Sequence, residues 1–386
     1  MKKVQFTTVL AAMLLPLVLV SCGPQPTATP NTPSPKITTA EVTAKPAWET
    51  DWERTLAAAK KEGKVVIYTT NNGNWRQAFD EALSKQYGIG VDTVVGRGEE
   101  LIERATREQS SGVNFADILF TSVTFIQGIP QLAGLIDNLE RELILPEVTD
   151  PKGWWSGTLP WFDQSTKTAL GTRLYLSPPM IVNTDLVRPE EINSWSDLLH
   201  PKWKGRILLA DPTVGGGANV TMGMLIYKIK DMDFVKLLAK QEPIISRDRR
   251  IVVEWVARGK NPVSIGPGKE VVLEFMDAGA PIKYVVPSEG AQLTSGSGFV
   301  TVLKNRSHPN AARVFANFFL SRQGQALNSR ILGMQSTRTD VPTDFLPPIL
   351  VRQPGGKYFA DVDKEYIEKQ PQLMTQVTDI FKPLVR

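Results

Sequence analysis

The 386-residue chain has one cysteine and two histidines. A disulfide framework within the chain is therefore excluded, and a Cys/His zinc site nearly so. Any Ser-His-Asp or Cys-His catalyst would have to rest on His200 or His308, and each of these precedes a proline, which suggests a turn at a helix start. Charge of one sign is also scarce. Forty-four Lys and Arg oppose 40 Asp and Glu, for a net +4, and without Lys2 and Lys3 the balance is +2. That is no footprint for nucleic acid, which requires a concentrated basic face. The apolar run at residues 9–20 is too short to span a bilayer, and no later run is long enough.

Nucleotide and hydrolase motifs are missing as well. Lys269 follows glycines, but a phosphate loop needs Gly where Val263 stands and Ser or Thr where Glu270 stands. Ser297 lies in SGSG, one spacing short of a nucleophile elbow, and no H-E-x-x-H occurs. A hydrolase working through carboxylates alone follows no spacing rule and stays open as a minor alternative. The chain otherwise reads as a non-enzyme with no cofactor. Apolar residues at 42% and charged residues at 22% are ordinary globular values.

The apolar run follows Met1-Lys2-Lys3 and ends Leu19-Val20-Ser21-Cys22-Gly23. A positive start and a short apolar stretch make a signal peptide. The only cysteine lies at the cut, which resembles the lipobox of bacterial lipoproteins. Residues 1–22 are thus expected to be removed or lipidated at Cys22, giving an exported, membrane-anchored protein. Residues 23–47 are rich in Pro, Thr and Ala without periodicity, and read as a disordered stalk.

The remainder alternates strands and helices. Residues 64–70, 90–95 and 116–121 are β-rich, and between them Trp75, Ala78, Phe79, Ala82 and Leu83 recur at helical spacing, as do Leu101, Ile102 and Ala105. This pattern predicts a parallel sheet whose ligands sit beyond the carboxyl ends of the strands. Thr70, Asn71, Thr121 and Ser122 occupy those ends. Residues 174–183, with Tyr175 and the pair Pro178-Pro179, read as an extended crossing. A second α/β stretch follows. It carries strands at 205–210 and 263–266, a loop through Thr213, Gly215, Gly216 and Gly217 into a helix at 218–230, and another helix at 270–278.

Four segments in order then carry a resemblance: WERTLAAAKKEGKVVIY at 52–68, PMIVNTDLV at 179–187, WSDLLHPKWKGRI at 195–207, and HPNAARVFANFFLSRQGQ at 308–325. The chain resembles the extracellular solute-binding proteins of bacterial ABC importers, in the branch that includes ferric-iron and small-anion binders. The resemblance implies a two-lobed, type II periplasmic-binding-protein-like α/β fold, each lobe a mostly parallel sheet flanked by helices. Lobe 1 would comprise residues 48–177 and 284–330, and lobe 2 residues 178–283 and 331–386, with hinge crossings near 174–183 and 282–286. It implies a small-molecule solute and a membrane permease as partners, and a monomer that delivers one to the other.

Iron-binding relatives use adjacent tyrosines. Here the seven tyrosines are all separate, and the corresponding region reads Ser264-Ile265-Gly266-Pro267-Gly268-Lys269-Glu270. An anion is the favoured solute, such as a phosphonate, phosphate ester or carboxylate. Gly215, Gly216, Gly217, Ala218 and Asn219 offer a helix start with free N–H groups, and Gly266 and Gly268 a second. Thr213 and Asn219 add hydrogen bonds, and Arg247 or Arg173 a fork donor. Ferric iron is the alternative. A sugar stacked on Trp154, Trp155, Trp161, Trp195 or Trp203 is the third reading, although tryptophan more often packs a core.

Overall fold

The computed structural model describes residues 45–71, 73–122, 125–126 and 130–385. The signal segment, Cys22 and most of the stalk, and Asn72 and Val123-Thr124 in the first-lobe loops, lie outside the described residues.

Helix α1 (Ala47–Glu62) ends where Gly63, at φ 78°, turns the chain and donates its N–H to Ala59. Strand β1 (Lys64–Thr69) follows, buried from its second residue on. Helix α2 (Gly73–Tyr87) buries Trp75, Phe79 and Leu83, one per turn, and leads to β2 (Gly90–Val95). Helix α3 (Gly98–Ser110) lays Leu101, Ile102 and Ala105 on the sheet and leads to β3 (Ile118–Thr121). Together with β4 (Ala169–Gly171) and β12 (Phe299–Val302) these strands form a five-stranded sheet in the order β2-β1-β3-β12-β4. Only β12 runs against its neighbours. Helices α8 (Pro309–Leu320) and α9 (Arg322–Leu332) close this lobe. Trp75 and Phe79 lie 4.4 Å apart, and Phe120 meets Phe319 edge-on at 4.9 Å. Each such pair contributes about 0.5–1.5 kcal/mol beyond its buried area. His308 is fastened at the start of α8, its ring and backbone N–H both 2.9 Å from the buried Asp117 carboxylate. His200 accepts from the Lys202 N–H. Both histidines thus hold helix starts.

The second lobe repeats this plan. Strands β6 (Met180–Asn183), β7 (Ile207–Ala210), β8 (Ile244–Ser246), β9 (Val263–Ile265) and β10 (Ile282–Val285) are ordered β10-β6-β9-β7-β8, with β6 the one opposed strand. Helices α4 (Gly217–Met224), α5 (Met232–Ala239), α6 (Arg249–Ala257) and α7 (Lys269–Asp277) belong to it. Its core includes Met180, Trp195, Trp203, Leu209 and Phe234, and it is joined by Val377 and Phe381 from α10 (Lys364–Phe381). The C-terminal helix therefore packs on this lobe.

A separate three-stranded sheet, β13-β11-β5, lies on the connections between the two large ones. Strand β5 (Tyr175–Leu176) is on the way out, β11 (Ala291–Thr294) on the way back, and β13 (Tyr358–Ala360) on the last passage. The expected crossing at 282–286 differs in detail. Strand β10 is an edge strand of the second sheet, pairing Ile282 with Asn183 through Val285 with Met180, and the return passes through β11 instead. The physical reason is the apolar alternation of β10, which buries Ile282 and Tyr284 on the second lobe's outer core.

Candidate functional site

On the second lobe the chain leaves β7 at Ala210 and turns through Asp211. The Asp211 carboxylate accepts from Thr213 N–H at 2.8 Å, from the Thr213 hydroxyl at 2.6 Å and from Arg247 Nε at 2.8 Å. Burial alone would raise its pKa, but the Arg247 and Thr213 hydrogen bonds hold it below the usual range. Asn219 donates its side-chain amide to the Pro212 carbonyl at 2.7 Å and pins the loop onto the helix. Gly215, Gly216 and Gly217 are exposed, and a Cβ added to any of them would meet nothing within 4 Å. The glycines that lead into α4 are thus open to solvent, with the positive end of the helix dipole behind them, while Ala218 and Asn219 of its first turn are buried.

Gly266 sits directly beneath that turn. Its φ of +70° and the approach of Ala218 leave no room for a side chain, since a Cβ there would lie 2.6 Å from Ala218 Cβ and 3.0 Å from Ala218 N. Gly268 caps the start of α7. Thr213, Gly215–Asn219, Gly266 and Gly268 are therefore brought to one edge of the second lobe. Arg247 reaches the same loop, but its side chain is 70% exposed and ion-paired to Asp211.

The first-lobe candidates share the opposite kind of edge, at the carboxyl ends of the adjacent strands β1 and β3. Thr70 is exposed, and Asn71 is buried with its N–H on the Thr69 hydroxyl. Ser122 accepts from Phe125 and Ile126 N–H. Thr121 is only 1% exposed, and its hydroxyl has no hydrogen-bond partner among the described residues. An orphaned buried hydroxyl at a strand's carboxyl end is a group awaiting a partner.

Between the edges lies the hinge, where the structure separates the two arginines offered as fork donors and adds Lys269, which motif reading passed over. Arg173, two residues before Tyr175, is 7% exposed. Its Nε donates to the Ser295 carbonyl at 3.1 Å, and no described carboxylate pairs with it. Burial lowers its pKa, opposed by the fields of Tyr175 and Glu270. Lys269, the first residue of α7, reaches across to α9 and donates to the carbonyls of Leu332 at 3.1 Å and Gly333 at 2.7 Å. Its ammonium lies 5.3 Å from the Tyr175 ring. Burial pushes its pKa down to about 8, with Glu270 opposing and Arg173 adding to the fall. The Tyr175 phenol is pushed up to about 12, again chiefly by burial. A buried guanidinium and a half-buried ammonium, neither ion-paired to a described carboxylate, make this place favourable for negative charge. The tryptophans divide by position. Trp154, Trp195 and Trp203 are core residues, Trp155 lies under the Arg352 guanidinium, and Trp161 lines a hinge cavity.

Residues 149–330 match the family described as bacterial extracellular solute-binding protein. An uncharacterized protein of Haemophilus influenzae is 28% identical over 306 residues, 75% of this chain and 84% of that one. Iron uptake protein A1 of Synechocystis is 25% identical over 154 residues, 39% of this chain and 38% of its own length. The fold is that of the periplasmic binding protein AfuA from Actinobacillus pleuropneumoniae, solved with fructose-6-phosphate bound. The TM-score is 0.60 at 22% identity, covering 83% of this chain and 99% of AfuA. The matched stretch, residues 149–330, carries the pattern of that solute-binding family. The fold expected from the four sequence segments, two mixed α/β lobes joined by crossings, is the one observed.

Proposed function

We propose that this solute-binding protein captures a small organic anion, a carboxylate, phosphonate or phosphate ester, and hands it to a membrane permease. The observation that carries the reading is Arg173, a buried guanidinium with no anionic partner among the described residues. An unpaired buried charge costs several kcal/mol, and an incoming oxyanion supplies what the fold withholds. Lys269 and the first turn of α4 add positive potential of the same sense, and Thr70, Asn71, Thr121 and Ser122 would supply neutral donors from the first lobe. Arg247, already neutralised by Asp211, serves the loop rather than the solute. AfuA, with a phosphate ester bound, is in keeping with this reading. We assign the lobes as residues 48–177 with 286–333, and 178–285 with 334–386, since β10 pairs within the second sheet and α9 packs on the first core. A lipid on Cys22 would tether them through the stalk to the outer face of the cytoplasmic membrane.

The names of the iron uptake proteins favour a second reading, ferric iron. Hard Fe(III) wants phenolate or carboxylate oxygens. Burial raises the Tyr175 phenol, and Arg173 and Lys269 near it would repel a trication. A thermal-shift screen separates the readings. Carboxylates, phosphonates and phosphate esters are expected to raise the melting temperature by mass action. Ferric citrate giving a visible charge-transfer band, with no response to any anion, would overturn the anion reading.

A further inference from the structure

A cavity of about 120 Å³ opens beside Arg173, where β4 gives way to β5 and β11 to β12. Apart from that guanidinium its walls are mostly apolar, with Trp161, Phe162, Leu174, Phe299 and Val362 the principal ones. The outer wall is a strap running antiparallel to β4. Trp161 bridges to Leu170, the Phe162 N–H donates to Ala169, and the Phe162 and Phe299 rings meet edge-on at 6.0 Å. The polar groups of the rim are occupied. The Thr337 hydroxyl donates to the Gly171 carbonyl at 2.8 Å, and the Ser295 carbonyl already accepts from Arg173. The Asp361 carboxylate is turned to the Thr294 hydroxyl and the Ser295 N–H. Hydroxylated solutes would find little to bond in the cavity itself, whereas an apolar group would lose nothing on entering.

This inference rests on the anion reading and narrows it. We infer that the solute carries, next to its anionic group, a compact apolar group of up to one six-membered ring, seated in the cavity between Trp161, Phe299 and Val362 while Arg173 holds the anion. The size follows from comparison with an engineered apolar cavity of about 150 Å³ that accepts benzene. The charge follows from the lone guanidinium on a mostly apolar wall, which fixes orientation as polar groups in ligand pockets do.

The test is calorimetric titration of the full chain with acetate, phenylacetate, 2-naphthylacetate and benzyl alcohol. Phenylacetate should bind about tenfold or more tightly than acetate, from burial of one ring. The naphthyl compound should lose that gain, and benzyl alcohol should not bind. Equal affinity for acetate and phenylacetate sinks the cavity assignment and leaves the anion reading standing. Absence of binding by any anion, or binding of benzyl alcohol as tight as phenylacetate, sinks the anion reading itself. Val362→Trp, which fills the cavity, should erase the ratio between phenylacetate and acetate. An unchanged ratio in a folded variant refutes the placement, and the wild-type series decides the matter if that variant does not fold.

Discussion

Replacing Arg173 by methionine should make the empty protein more stable and the solute-binding function worse. The guanidinium lies in the hinge at 7% exposure and keeps one hydrogen bond, Nε to the Ser295 carbonyl at 3.1 Å. A charged hydrogen bond of that kind contributes about 1.5–3 kcal/mol. Desolvating an ion costs several kcal/mol, and replacing buried ionic groups by apolar ones of similar volume is neutral or stabilising by about 1–4 kcal/mol. Methionine fills the stem's volume between Leu174 and Gly298, where the Arg173 side chain packs within 2.5 Å of a Cβ placed on Gly298. The expected gain is about 1–3 kcal/mol, a rise of roughly 2 °C in Tm per kcal/mol for a chain of this size. Anion affinity should fall at least about thirtyfold, since removing one member of a buried charge pair costs about 2–5 kcal/mol. Differential scanning calorimetry of the ligand-free protein and titration with phenylacetate read the two effects separately. A less stable Arg173→Met protein that still binds anions with wild-type affinity would make Arg173 a structural residue and refute the reasoning.

Lys269 gives opposite pH signs to two measurements. Its folded pKa of about 8 lies below the ordinary 10.5, so the unfolded chain binds the extra proton between those values and ligand-free stability should rise with pH from about 8 to 10.5. Anion affinity should instead fall as pH passes through about 8, and Lys269→Met should flatten both profiles; affinity unchanged from pH 7 to 9 in the wild type would remove Lys269 from the site. Gly217→Asp places a carboxylate in open space at the first turn of α4, where it should stabilise the helix by about 0.3–1 kcal/mol while weakening anion binding about tenfold or more; tight binding by this variant would show that α4 does not face the solute. Gly266→Ala drives a methyl into Ala218 at 2.6 Å and should cost a few kcal/mol of stability, about 1–3 for overpacking with added strain at φ +70°, read by urea denaturation. Cys22→Ser should release the protein from the membrane fraction, and retention there would exclude the lipid anchor.

Local pattern carried the elements well and their long-range arrangement poorly. Trp75, Phe79 and Leu83 at helical spacing, and the run 64–70 after Gly63, announce α2 and β1 because amphipathicity is a local property. The opposed strands β12 and β6 have no such signature, since an apolar run reads the same in either direction. The site followed the same division. Glycines at 215–217, 266 and 268 mark helix starts wherever they occur, and the structure gathers them on one lobe edge. The partnership of Arg247 with Asp211 is made across 36 residues and left no mark in the spacing, so nothing in the sequence told which arginine was free. Lys269 stood out only as part of a failed phosphate loop. Its reach to the carbonyls of Leu332 and Gly333 exists only once the two lobes are assembled.

That assembly explains why binding and hinge motion would be one event in this protein. Arg173 precedes β5, Ser295 follows β11 and Asp361 follows β13, so each of the three crossing strands contributes one member to a single cluster. Ser295 is its centre, receiving Arg173 Nε on its carbonyl and giving its N–H to Asp361, whose other oxygen takes the Thr294 hydroxyl. An anion drawn to Arg173 pulls on a group already bonded to the return strand, and through it on the last crossing. Burial pushes the Asp361 carboxyl up to about 6, so the acid in this cluster is itself poorly solvated and gains from any cation that moves toward it. A solute that touches only one lobe could not exploit this arrangement. A ligand has to change the relative free energy of two lobe orientations to shift them, and a cluster tied to all three crossings is where a single charge does so most directly.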